Sequence, residues 1–206
     1  MVPLKNLVRN KEYQLTVENG EFFGVVMPTY WEGLPSILID YLNKVEIKFE
    51  GTDHYCYFVA TYGCDYGFIL TAAERAFGNK GIHFDSLYTA RFVDNWSPFY
   101  NVKDPVRNRR AEQNGERETQ EIVSRVLSRE KGFRLPDQMT PSMAASAKAN
   151  YDRIRSTELF CLDSNKCIGC GLCARQCPME AIKIENGKPV WVKDKCTLCL
   201  GCFHRC

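Results

Sequence analysis

The sequence predicts an α/β domain with a parallel sheet, followed by a small, cysteine-rich α+β unit. Three observations carry this. Between residues 21 and 93, apolar β-rich segments alternate with segments of helical spacing, the pattern of a sheet with helices on its faces. Nine of the eleven cysteines fall between Cys161 and Cys206. Eight of those nine form two sets with identical gaps. The 206 residues suit one medium domain plus a small appendage. A hydrophobic share of 45% and a charged share of 25% exclude a disordered or collagen-like chain. The 27 basic and 25 acidic side chains nearly cancel, so nothing marks a nucleic-acid binder.

Residues 21–27 (EFFGVVM) read as a strand buried on both faces. The loop PTYWEGLP follows at 28–35, and Pro35 suits the first turn of a helix. In that helix Ile37, Leu38, Tyr41 and Leu42 share a face. Residues 54–61 (HYCYFVAT) read as a second buried strand, running into the loop YGCDYG at 62–67. A helix is expected over 68–78 and a third strand over about 82–93. Residues 94–109 form a loop. Over 110–130, Ile122, Val123, Val126 and Leu127 place an apolar stripe on a charged helix, whose charges are its solvated face. Pro136 and Pro141 mark a linker, followed by a short helix near 142–158. The expected organisation is a domain over 1–134, a linker and short helix over 135–160, and a second domain over 161–206.

The first fifteen residues hold no apolar stretch of signal-peptide length. No apolar run approaches the ~20 residues of a membrane span. The expectation is a cytoplasmic protein without membrane contact. In reducing surroundings, clustered cysteines bind metal more readily than they form disulfides.

Cys167, Cys170, Cys173 and Cys177 are spaced C-x2-C-x2-C-x3-C, with Pro178 next. Cys196, Cys199, Cys202 and Cys206 repeat those gaps 29 residues later. The chain has duplicated one metal-binding unit. Three thiolates at two-residue gaps let a tight loop wrap three corners of a cubane cluster. Structural zinc instead uses pairs, with a distant partner pair or histidines, and fits a triple run poorly. Gly169, Gly171 and Gly201 are expected to let backbone approach the cluster. Between the sets, Ile182, Ile184, Val190 and Val192 flank Asn186-Gly187, the strongest two-residue hairpin signal.

Residues 161–206 resemble the two-[4Fe–4S] ferredoxin family. The resemblance implies that the fourth cysteine of each set ligates the other cluster. One [4Fe–4S] cluster then takes Cys167, Cys170, Cys173 and Cys206, and the other takes Cys196, Cys199, Cys202 and Cys177. The second set ends at the last residue, with no proline or tail after Cys206.

The loops PTYWEGLP and ATYGCDYG each follow a buried strand, where open α/β sheets bind ligands. The pair is similar to the flavin-ring loops of flavodoxins, with Thr29, Tyr30, Trp31 and Gly33 in one and Thr61, Tyr62, Gly63 and Tyr66 in the other. The whole chain thus resembles the flavodoxin–ferredoxin fusion family of EFR-type ferredoxins. That resemblance implies a flavodoxin-like domain, an FMN cofactor and two clusters. The Ser/Thr/Gly-rich phosphate loop of flavodoxins is missing, together with the strand before it. Both ends of the natural protein are therefore expected to lie beyond this chain.

The functional expectation is a low-potential electron carrier serving redox partner proteins. One alternative is an FMN/iron–sulfur reductase acting on a small molecule. Another is a cysteine-rich module that uses metal structurally. Cys56 is expected in the core and Cys64 in an exposed loop, while Cys161 lies outside the repeat. No catalytic residue is assigned: His54, His83 and His204 suggest no triad, and His204 is expected to pack near the second cluster.

Overall fold

A computed structural model describes all residues, 1–206. The chain forms two compact units. One comprises residues 1–11, containing helix α1 (Leu4–Asn10), together with 149–206. The other is residues 12–148.

In the unit 12–148, two short strands missing from the sequence expectation, β1 (Gln14–Val17) and β3 (Glu46–Phe49), pair in parallel. Four residues each, they are too short for periodicity to announce. The main sheet holds β2 (Phe22–Pro28), β4 (Tyr55–Tyr62) and β5 (Ser86–Arg91), all parallel, in the order β2-β4-β5. Helix α2 (Ser36–Leu42) follows β2 and buries Ile37, Leu38, Tyr41 and Leu42. Helix α3 (Ile69–Gly78) follows β4.

The central strand explains the layering. Successive side chains of β4 point to opposite faces. Phe58 and Ala60 pack with Ile69, Leu70 and Ala73 of α3, whereas Val59 packs with Tyr88, Ala90 and Ile122. Ile122 belongs to helix α4 (Pro105–Leu127), so helices cover both faces. That helix starts ahead of the apolar stripe at Ile122. The Asp104 side chain accepts from the Val106 and Arg107 amides at 3.0 Å, and Pro105 occupies the first turn.

Strand β2 corrects one expectation. It alternates exposed and half-buried residues and is not buried on both faces. It is an edge strand, with Phe22 and Val26 largely open. At Gly24 the Tyr57 ring crosses the backbone, and any Cβ would run into it.

The expected linker from 135 is also corrected at its start. Arg134 bridges to Leu87, the Tyr66 hydroxyl donates to Pro136 O at 2.8 Å, and Gln138 N donates to Gly67 O at 2.8 Å. These bonds fix 134–138 to the unit 12–148. The boundary between the units falls at 148/149, inside helix α5 (Pro141–Ile154).

In the other unit, helix α6 (Leu172–Gln176) follows the first cysteines. Strands β6 (Ile182–Glu185) and β7 (Lys188–Trp191) form an antiparallel hairpin. Its turn is Asn186-Gly187, with φ of 49° and 76°, the left-handed pair that a two-residue hairpin demands. No helix of the protein is long and apolar enough to cross a membrane.

Candidate metal centre

The two cysteine sets repeat in backbone conformation as well as in spacing. Gly169 and Gly171 have φ of 72° and 69°. Their counterparts 29 residues later are Leu198 and Leu200, with φ of 54° and 52°. Gly201, expected to be the permissive position, has no left-handed φ. A left-handed leucine costs about 1–2 kcal/mol. Burial of a leucine side chain returns about 1.5–3 kcal/mol, and both leucines are only 8% exposed. Replacing Leu198 with glycine is therefore expected to destabilise by about 1 kcal/mol, since strain is relieved while burial is lost. Leu198→Ala keeps the strain and loses the burial, so it should fall further. Denaturant unfolding of the two variants checks the order, with glycine above alanine.

Backbone amides point at the sulfurs. Leu198 N donates to Cys196 Sγ at 3.3 Å, and Ala181 N donates to Cys177 Sγ at 3.3 Å. Cys177, Cys196, Cys199 and Cys202 line one pocket with Ala181, Ile182, Leu198 and Leu200. It encloses about 420 Å³ between atoms, its mouth included. Burial pushes the Cys196 thiol up to about 11, with the sulfurs of Cys199, Cys202 and Cys177 adding to the rise. Burial also raises Cys199 and Cys202; Cys177 is a neighbour of both, and Arg205 partly offsets the rise at Cys199. Cys173 is raised by burial first, then by the neighbouring sulfurs of Cys170 and Cys206. Cys177 thus lies among the sulfurs of the second set, and Cys206 is a neighbour of Cys173.

Cys177, Cys196, Cys199 and Cys202 line one volume, as the ligands of a polynuclear cluster would. Thiolates are the ligands such clusters take, and amide donors to sulfur are one means of tuning them. The residues present fit the group.

The comparisons agree with that chemistry. Residues 160–183 match the family described as a 4Fe-4S binding domain. The carboxy-terminal unit carries a 4Fe-4S binding domain. The chain is 55% identical to Ferredoxin-2 of Desulfomicrobium norvegicum over 29 residues, 14% of this chain and 49% of that protein. It is 51% identical over 39 residues to an uncharacterized ferredoxin of Methanocaldococcus jannaschii, covering 19% of this chain and 23% of the relative. The chain thus spans about half the length of one curated relative and about a quarter of the other. No solved structure matches.

Elements outside the cysteine motif hold the 4Fe-4S binding domain in shape. The buried Tyr151 hydroxyl donates to Thr197 O at 3.0 Å. Cys196 N donates to Arg155 O at 2.9 Å, and Phe160 stacks on Trp191 with centroids 5.7 Å apart. Lys188 Nζ donates to Cys167 O at 2.6 Å, and Arg175 Nη1 to Cys170 O at 2.8 Å. Sequence reasoning missed Tyr151 and Thr197, since single polar residues carry no spacing signal. His204 packs beside Phe203. Of the remaining cysteines, Cys161 is exposed; Cys56 is buried, with its thiol pushed up to about 11 by burial, as suits a core residue.

The two loops expected to hold a flavin also come together, at the carboxyl ends of β2 and β4, and meet a third loop that follows β5. Thr29 N donates to Thr61 O at 2.7 Å, and Tyr30 and Gly33 pair across a tight turn. A Cβ at Gly63 would strike Asp94, and one at Gly67 would strike Glu32, so the three loops are in close contact. Their aromatic faces are turned on each other. Trp31 packs on Trp96 at 5.9 Å, and Tyr62 on Tyr66 at 5.2 Å. Tyr66 corrects the expectation: it is a core residue, 6% exposed, with its hydroxyl committed to Pro136. Burial, then the nearby Asp65, raises the Glu32 carboxyl. With two carboxylates beside closed aromatic pairs, a phosphate-bearing flavin would enter only if these loops rearranged.

Proposed function

We propose that this protein is a low-potential electron carrier holding two [4Fe–4S] clusters. Cys167, Cys170, Cys173 and Cys206 serve one cluster, and Cys196, Cys199, Cys202 and Cys177 serve the other. The observation that carries this reading is the pocket shared by Cys177 and the three leading cysteines of the second set. When bound, each cluster would take up and release one electron. The protein's own contribution is to bury the sulfurs, exclude water with Leu198 and Leu200, and aim the Leu198 and Ala181 amides at them. A reducing cytoplasm suits so many free thiols, and redox proteins are the natural partners.

Protein purified without oxygen is expected to contain about eight iron and eight acid-labile sulfide per chain, following two cubanes. Broad visible absorbance that bleaches on reduction should accompany them. Stoichiometric zinc with no iron would overturn the reading in favour of the structural module.

A second reading adds FMN and makes the chain a flavin-containing carrier or a reductase. It is favoured by buried polar atoms without hydrogen-bond partners in the three loops: Thr29 Oγ1, Asp65 Oδ1 and Trp96 Nε1. Binding would require the Trp31–Trp96 pair to part. Flavin extraction from the same sample decides it, and a flavin-free extract would remove this reading.

A further inference from the structure

We propose that Arg9, near the start of the chain, is a positioning residue for Cys177 and raises the reduction potential of the cluster that Cys177 serves. This rests on the two-cluster reading above.

Arg9 Nη2 donates to Arg175 O at 2.7 Å and to Cys177 O at 2.9 Å. Both carbonyls flank the step at which the chain leaves α6 and turns through Pro178. The Cys177 carbonyl also accepts from Glu180 N at 3.3 Å, closing a four-residue turn. Ala181 N, just beyond that turn, donates to the Cys177 sulfur. Fixing the Cys177 carbonyl therefore fixes the turn and the amide that points at the sulfur. A planar guanidinium suits this task, because its donors are held in a rigid fork.

Helix α1 buries no residue fully, and its Leu4, Leu7 and Val8 are half-buried. Arg9 Nε lies 3.9 Å from the Glu180 carboxylate, which is 59% exposed, so solvent screens that partner. The other cluster has its own version of the device, with Lys188 Nζ donating to Cys167 O at 2.6 Å. That lysine comes from the neighbouring hairpin, whereas Arg9 comes from 168 positions away. A cation beside a cluster favours the reduced, more negative state, so its loss lowers the potential.

The test is an anaerobic redox titration followed by electron paramagnetic resonance, on the full chain and on Arg9→Gln and Arg9→Lys. For Arg9→Gln, one couple should shift to a more negative potential. A tenfold change in its reduction equilibrium corresponds to about 59 mV for one electron. The other couple should stay in place, and Arg9→Lys should recover most of the shift. If Arg9→Gln loses half of its iron, the positioning role is supported, and Arg9→Lys then reads the potential. Two couples that both stay put, or both move equally, would overturn the proposal. Wild-type protein without iron would instead sink the two-cluster reading before Arg9 is touched.

Discussion

Cys177→Ala combined with Cys196→Ala is expected to leave one intact cluster, about four iron per chain. Both cysteines are on the same side of the crosswise assignment, so losing both disables a single site. If each set closed on its own fourth cysteine, the same pair would disable both sites and leave none. Cys173→Ala combined with Cys177→Ala reverses the contrast with Cys177/Cys196, because under the crossing it should remove both clusters, whereas closure within each set would leave one. The geometry behind this is specific. Cys177 neighbours Cys196, Cys199 and Cys202, and Cys206 neighbours Cys173. Iron and sulfide analysis, with spin quantitation of the reduced variants, reads the result. Retention of four iron by the Cys173/Cys177 double variant would refute the crossing.

Stripping iron from the protein is expected to unfold residues 160–206 while leaving the core of 12–148 protected. The reason is the composition of the two interiors. Around β4, Tyr55, Phe58, Ile69, Leu70 and Tyr88 are at most 1% exposed, a conventional apolar core. Within residues 160–206, the buried apolar side chains reduce to Ala181, Ile182, Leu198 and Leu200, while Ile168 and Phe203 are 88% and 63% exposed. So small a core needs a staple. With the staple gone, the left-handed strain at Leu198 and Leu200 remains unopposed. Hydrogen exchange before and after chelation checks this: amides of β6 and β7 should lose protection, and those of β4 and α3 should keep it. Uniform loss across both units, or none, would show that metal is not what holds the segment.

The cysteine run was legible because its gaps are set by covalent ligation, which tolerates little drift. The hairpin was legible for a similar reason, since Asn186 and Gly187 must accept positive φ. The strand–helix alternation from β2 to α3 was legible in its periodicity. What sequence could not show depends on the third dimension. β2 reads as a buried strand from its side chains, but its place at the sheet edge is decided by which strands pair. Tyr66 looks like a ligand-facing aromatic until Pro136 is seen to accept its hydroxyl. Leu198 and Leu200 hide the repeat of Gly169 and Gly171, because leucine gives no sign of a left-handed backbone. Arg9 is one arginine among many until its carbonyl partners are known.

The pairing of α1 with 149–206 also sets an order of events on the ribosome. Residues 12–148 can condense as soon as they emerge, since domains generally fold as units during synthesis. Arg9 must wait for Cys177, 168 positions later. On the two-cluster reading, a cofactor would therefore reach this unit after the sheet of 12–148 is already built.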